Sequence, residues 1–319
     1  MEVVPRIHRI EVPLGERFVC LFLLDGEECA LLIDTGLDDT PGQYLAPYLE
    51  KMGIDAAKIR YVVNTHADFD HTAGNGSVRE LAPQALFMCH RLDQVMVEDI
   101  ERMIEDRYGE YAADHGIVDD DETKEFIRSA TRHIPIDISL SGGERLRLGP
   151  DWEVEILHTP GHSYGHLSIH DPRHRCLIIA DATLYNAVLK ADGGPAFPPT
   201  YRYVDTYLAS MDRFAGMDFD TLLTSHYPVY IKAAIGEFFG ESRVFVDRLD
   251  QALIAALEAA DGPRTMRELI DVLGPQVGRW PAEASTYLCF PLLGHLERQV
   301  QYGRLVTGRR DGLLTYQLS

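Results

Sequence analysis

Apolar residues in the first ninety positions come in short runs punctuated by turn formers. Ile7 to Val12 and Phe18 to Leu24 are rich in β-branched and aromatic residues and are separated by Pro13 and Gly15. Cys29-Ala30-Leu31-Leu32-Ile33 is a continuous apolar run ended by Asp34-Thr35-Gly36. Runs of this length bounded by Pro, Gly and Asp predict successive antiparallel strands. The period then changes: over residues 41–52, Tyr44, Leu45, Tyr48, Leu49 and Met52 recur at helical spacing. Tyr61-Val62-Val63 predicts a short buried strand that delivers Thr65 and His66 at its carboxyl end. A helix around Ser77 to Leu81 and a strand from Ala85 to Cys89 complete a β/α unit.

From His90 to about His133 the pattern is helical and rich in Met, Glu, Asp and Arg, with Asp119-Asp120-Asp121 as a break or helix start. This stretch, about residues 90–134, has no place in a regular sheet and reads as a helical insertion. Two roles stay open for it: a lid or substrate wall, or a solvated helical pair that covers the sheet. Strand signals resume at Ile136 to Leu140, Glu144 to Leu148, Glu153 to Leu157, Leu167 to His170 and Cys176 to Ala180, the spacing of a second β-meander. A helix from Val204 to Phe214 then leads to the strand Thr221 to Thr224. Two β-rich halves, each with helices, predict an α/β fold of four layers, an αββα sandwich, over residues 1–242. Residues 243–319 read as a small second domain: helices at Phe245 to Ala260, Met266 to Leu273 and Glu283 to Gln299, then strands Gly303 to Thr307 and Leu313 to Leu318. That order resembles a winged helix.

Charge and composition narrow the function classes. A formal net charge of −20 argues against nucleic acid, whose binding needs clustered Lys and Arg to displace counterions. The winged-helix-like segment has no Lys and a near balance of acids and arginines, so packing, dimerisation or substrate shaping is its expected job. Cys20, Cys29, Cys89, Cys176 and Cys289 are scattered and never spaced as CxxC, so they read as small buried hydrophobes. No apolar run reaches the roughly 18 residues of a membrane span. The amino terminus lacks the pattern of a secretory signal, which makes a cytoplasmic location the expectation. A small-molecule substrate, with no nucleic acid or membrane partner and a homo-oligomer allowed, is the expected partnership.

The chemistry concentrates in His66-Ala67-Asp68-Phe69-Asp70-His71, four ligand-type side chains in a turn after an apolar strand. Imidazoles and carboxylates suit zinc, iron or manganese, and an irregular loop lets alternate side chains converge. Three more candidates follow predicted strands: His162 in His158-Thr159-Pro160-Gly161-His162, Asp181 after Leu177-Ile178-Ile179-Ala180, and His226 after Leu222-Leu223-Thr224-Ser225. Each alone is more often a structural residue; their repetition points to one metal centre.

These residues resemble the metallo-β-lactamase superfamily, whose hallmark is an HxHxDH loop followed by distant His, Asp and His ligands. Leu32-Ile33-Asp34-Thr35-Gly36, Gly74-Asn75-Gly76, Thr159-Pro160-Gly161-His162 and Ser225-His226 support the resemblance, which covers about residues 5–235. It implies two divalent metal ions, zinc by default and iron or manganese as alternatives. The first ion would take His66, Asp68 and His162, the second Asp70, His71 and His226, with Asp181 bridging. It further implies hydrolysis by a metal-bridging hydroxide, with Asp70 as the catalytic residue that orients or deprotonates the water. The expected substrate is of ester-type acyl chemistry: thioester, lactone or carboxylic ester. The departure is Asp68, where the family has His. Either the extra anion lowers the charge of a two-metal centre, or Asp68 is too short to reach, leaving the first position weak or empty.

Other readings compete. Flavodiiron proteins resemble this fold and carry an acid at the position of Asp68, so di-iron redox chemistry is one alternative. A ligand-sensing winged-helix regulator without catalysis is another. Gly161-His162-Ser163-Tyr164-Gly165 matches the GxSxG of serine hydrolases, but Leu167-Ser168-Ile169-His170 after it reads as strand where a nucleophile elbow needs a helix. His166 is left between support of a ligand and a core histidine.

Overall fold

A computed structural model describes residues 1–319. The amino-terminal half forms a seven-stranded sheet in the order β1 (Glu2–Val4), β2 (Ile7–Leu14), β3 (Arg17–Asp25), β4 (Ala30–Ile33), β5 (Ile59–Val63), β6 (Leu86–His90) and β7 (Ile138–Leu140). Neighbours are antiparallel up to β4 and parallel from β4 to β7. The next strands are β8 (Arg145–Gly149), β9 (Trp152–His158), β10 (Leu167–Asp171), β11 (Cys176–Ala180), the short hairpin β12 (Val188–Leu189) and β13 (Pro195–Phe197), β14 (Thr221–Thr224) and β15 (Tyr230–Ile231). Apart from the hairpin they make a six-stranded sheet in the order β15-β14-β11-β10-β9-β8. The expected second meander is therefore β8 to β11. The segment at Ile136 to Leu140, expected to begin it, instead extends the first sheet as β7, because the insertion returns the chain beside β6 for parallel pairing.

Alternation along the strands explains the layers. In β3, Cys20, Phe22 and Leu24 point between the two sheets, while Val19, Leu21 and Leu23 point outward onto the helices at Ala46–Met52 and Asn75–Leu81. In β11, Cys176 and Ile178 face the intersheet core, and Leu177 and Ile179 face the helices on the far side. Both sheets are thus buried on both faces, which is why their strands read as continuous apolar runs. The order of layers is helices, sheet, sheet, helices, as expected.

The expected helix from Phe245 begins earlier. A single helix, Ala233–Glu258, runs through the position expected to separate two domains and sends Phe238, Phe245, Leu249 and Leu253 into the core over the second sheet. The helices Met266–Val277 and Cys289–Gln301 and the small sheet of β16 (Arg264–Thr265), β17 (Leu305–Arg310) and β18 (Leu313–Leu318) pack on that same core. The insertion is helical as read, but irregular: short turns between Gln94 and His115, then the helix Asp121–Ser129. Four of the five cysteines are buried, Cys29 is partly exposed, and all five are free thiols. No helix is long and apolar enough to cross a membrane.

Candidate metal centre

All seven ligand-type residues singled out in the sequence lie at strand ends on one edge of the sandwich, and the structure brings them together. His66 follows β5, and Asp70 and His71 lie on the single helical turn Phe69–Thr72. His162 follows β9, Asp181 follows β11 and His226 follows β14. Local backbone geometry aims them. Ala180 adopts φ 42°, where the pairing of β11 with β14 slips by a residue, and this left-handed kink turns the chain at Asp181. Gly161 adopts φ 151°, and a Cβ there would lie 2.6 Å from the Tyr207 Cα, so only glycine lets the helix Val204–Ala215 close against the His162 loop.

Four imidazoles are fixed from behind through Nδ1. His71 donates to Asp34 Oδ2 (2.8 Å), His162 to the Thr200 carbonyl (3.0 Å) and His226 to the Phe18 carbonyl (2.9 Å). Thr65 Oγ1 gives its proton to Asp34 Oδ2 (2.8 Å) and therefore accepts from His66 Nδ1 (2.9 Å). Every ring thus presents Nε2 to the cleft, and with that atom unprotonated it is the lone pair a metal ligand requires. Asp34 also takes the Thr65 amide on Oδ1 (2.7 Å) and is fully buried, so one carboxylate sets both the end of β5 and the motif turn.

The two halves of the centre differ. Around Asp70, His71, Asp181 and His226, ligand atoms stand apart as they do around an ion. His71 Nε2 is 3.9 Å from Asp70 Oδ1 and 3.8 Å from Asp181 Oδ1, and His226 Nε2 is 3.8 Å from Asp70 Oδ2 and 3.2 Å from Asp181 Oδ2. His66, His71 and Asp181 bring ligand atoms within 4.8 Å of one another, and Nε2 of His66 and of His71 and Oδ1 of Asp181 are buried without any hydrogen-bond partner, so His66 belongs with this half as well as with Asp68 and His162. Native interiors rarely leave such atoms orphaned, so this half fits a divalent cation. Its charge says the same. Burial opposes a proton on His71, yet Asp34, Asp70 and Asp181 push its pKa up to about 10, the mark of a site that attracts positive charge. Burial likewise opposes charge on Asp181, but His226 and His71 hold it well below the usual carboxylate range.

In the other half a cation is already in place. Arg107, from the insertion, donates from Nε to Asp68 Oδ1 (2.6 Å), from Nη2 to Asp68 Oδ2 (3.2 Å) and to His162 Nε2 (2.9 Å), and from Nη1 to the His162 carbonyl (3.2 Å). Its guanidinium is buried and lies 5.0 Å from the Phe290 ring centre. Burial raises the pKa of Asp68, but Arg107 and His162 outweigh it and hold the carboxyl well below the ordinary range. His162 stays neutral, its pKa lowered to about 4 by burial and by Arg107. Arg107 carries no motif and was missed in the sequence; the one hint was the unpaired anion at Asp68.

The centre opens into a cavity of about 410 Å³. Asp70, Asp181 and His226 form part of its lining; the rest is largely apolar and comes from the insertion (Tyr108, Ile117, Phe126) and from the C-terminal part (Tyr287, Phe290). The insertion is thus a wall of the cavity, the first of its two expected roles. Ser163 is no nucleophile elbow: it is buried, its hydroxyl donates to Asp93 Oδ2 (2.6 Å), and β10 follows it. His166 makes no hydrogen bond to a ligand-type residue: its buried ring lies 5.1 Å from that of His66 between centroids and shares a hydrogen bond with Thr159 Oγ1 (3.1 Å), the packing of a core histidine.

Comparison with known proteins bears on the fold and the family. A metallo-beta-lactamase family protein from Thermus thermophilus superposes with a TM-score of 0.75 at 22% identity, over 100% of both chains. An uncharacterized protein of Aquifex aeolicus (strain VF5) is 27% identical over 183 residues, 57% of this chain and 73% of the relative. A cytoplasmic hydroxyacylglutathione hydrolase of Arabidopsis thaliana is 27% identical over 112 residues, 35% of this chain and 29% of that protein, so the match spans under a third of that relative. Residues 14–226, which carry every strand-end ligand described above, match the family of the metallo-beta-lactamase superfamily, and the chain belongs to that superfamily.

Proposed function

We propose that this protein is a metal-dependent hydrolase of medium-sized, largely apolar acyl substrates of the ester type: thioesters, lactones or carboxylic esters. The observation that carries this reading is that Asp181, whose Oδ1 is buried without a partner, lines a largely apolar cavity together with Asp70 and His226, with the unpartnered Nε2 atoms of His66 and His71 grouped beside it. Asp70, His71, Asp181 and His226 would hold a divalent ion, zinc by family habit, which would supply Lewis acidity toward a carbonyl oxygen and lower the pKa of water.

The chain's own residues do the rest. Asp70 reaches both the ligand cluster and the cavity, so its carboxylate orients the attacking water and takes its proton. The walls from Tyr108, Phe126 and Phe290 exclude bulk water and strengthen every charge on the floor. With a net charge of −20, the protein disfavours polyanionic substrates such as nucleic acid. The partial likeness to a hydroxyacylglutathione hydrolase puts thioesters first among the candidates.

Purified protein is expected to hydrolyse a member of a thioester, lactone and carboxylic ester panel, and to lose that activity on dialysis against a chelator. Asp70→Ala should lower kcat by about 100-fold or more, the usual range for removing a general base. Unchanged turnover in that variant would sink the mechanism.

A further inference from the structure

We propose that Arg107 takes the place of the first metal ion, so that the chain holds one divalent cation, in the half of the centre formed by Asp70, His71, Asp181 and His226. The inference rests on reading the site as a metal centre and does not depend on which acyl substrate is cleaved.

Geometry is the first argument. His162 Nε2 and Asp68 Oδ2 approach to 2.9 Å. With Nδ1 of His162 bonded to the Thr200 carbonyl, both facing atoms are acceptors, and two lone pairs at that distance need a positive group beside them. The guanidinium is that group: its Nη2 lies 2.9 Å from the nitrogen and 3.2 Å from the oxygen, one proton for each. It occupies the role a first metal would have between the same two residues. The fork to Asp68 is bidentate, the arrangement for which a planar guanidinium is better suited than any other side chain.

Charge is the second. Asp68, Asp70 and Asp181 bring three negative charges to the site, with Asp34 a fourth behind His71, and one arginine and one divalent ion already supply three positive charges by formal counting. A second divalent ion would leave Arg107 buried beside two dications with its partner carboxylate shared, an arrangement a low-dielectric site disfavours. The aspartate at position 68 and the arginine at 107 therefore explain each other: an imidazole at 68 would leave the guanidinium unpaired, and without the guanidinium the carboxylate would need a metal.

Packing is the third. Arg107 is fixed by Phe290 on one face and by the His162 carbonyl, so the cation is seated by both the insertion and the C-terminal part, away from solvent.

The test is metal stoichiometry, which needs no substrate. Protein reconstituted with zinc and freed of excess by gel filtration is expected to contain one ion per chain by elemental analysis. Loaded with manganese, it should show the electron paramagnetic resonance signal of an isolated ion. The double variant Asp68→His/Arg107→Met, which restores an imidazole and removes the cation, should rise to two ions per chain and show a spin-coupled manganese pair. Two ions or a coupled pair in the unmodified protein would overturn the proposal, and so would a folded double variant that stays at one. Absence of any bound ion in the unmodified protein would overturn it together with the metal-centre reading. One ion in the unmodified protein with no ester hydrolysed would leave this inference standing and reject the proposed function alone. If the double variant does not fold, the stoichiometry and resonance signal of the unmodified chain still decide.

Discussion

Asp34 does more for the centre than any residue outside it. It sits in the left-handed region at φ 60°, is fully buried, and spends both oxygens on Thr65 and His71. Asn tolerates that backbone and fills the same volume but lacks the charge. Asp34→Asn should therefore keep the fold and weaken metal binding about 10- to 100-fold, the usual cost of losing such an outer partner, as read by competition with a chromogenic chelator. Thermal stability lost to the same degree as metal affinity would instead mark Asp34 as a purely structural residue. At this scale the sequence was legible for the ligands: each follows an apolar strand, and a strand's end fixes where its next residues go. Asp68 was legible as an anomaly only. Its partner lies 39 positions away in an irregular stretch, and no spacing rule links them.

The elements that make the cavity are the insertion and the C-terminal helices, and one buried cation joins them. Arg202 donates to Glu110 of the insertion from Nε (3.0 Å) and Nη2 (2.7 Å), and to Glu297 of the helix Cys289–Gln301 from Nη1 (2.7 Å) and Nη2 (2.9 Å). Glu297 is exposed and Glu110 half-buried, so water compensates both carboxylates when the arginine is removed, and Arg202→Met should cost about 1.5 kcal/mol. For a chain of this size that is a fall in Tm of about 3 °C, measurable by calorimetry. A shift under about one degree would show that the two elements hold together by apolar packing alone. Phe126 at the rim of the cavity, edge-on to Phe69 at 5.9 Å, belongs to the same wall. Phe126→Glu is expected to raise KM for apolar acyl substrates about tenfold, with metal content unchanged, because a lost apolar contact is worth about 1–3 kcal/mol in a pocket. These helices were predicted as helices from their composition; their meeting over the metal centre was not, since nothing in a solvated-looking helical pattern says which surface it covers.

For the molecule as a whole, the question is where one core ends. The helix Ala233–Glu258 and everything after it share apolar contacts with β11 and with the helix Val204–Ala215 through Leu177, Tyr207, Phe245, Leu273 and Leu296. Burial of each large side chain there contributes about 1.5–3 kcal/mol, so the second sheet depends on the C-terminal part for its cover. A chain ended after residue 260 should aggregate or bind a hydrophobic dye strongly; a soluble, cooperative fold from that fragment would bear out the two-domain division read from the pattern. The same scale decides the chemistry. The acid that brought di-iron redox into consideration is paired with Arg107, and under the one-ion proposal it holds no iron. By itself the sequence determined the layered fold and which ligand-type residues meet at one edge of it, because alternation along strands and polar residues at strand ends are local properties of the chain. Only the tertiary structure decided what stands beside Asp68, what walls the cavity and where the core closes. Those depend on contacts between segments far apart, where an irregular insertion and a C-terminal helix meet above a site that neither encodes alone.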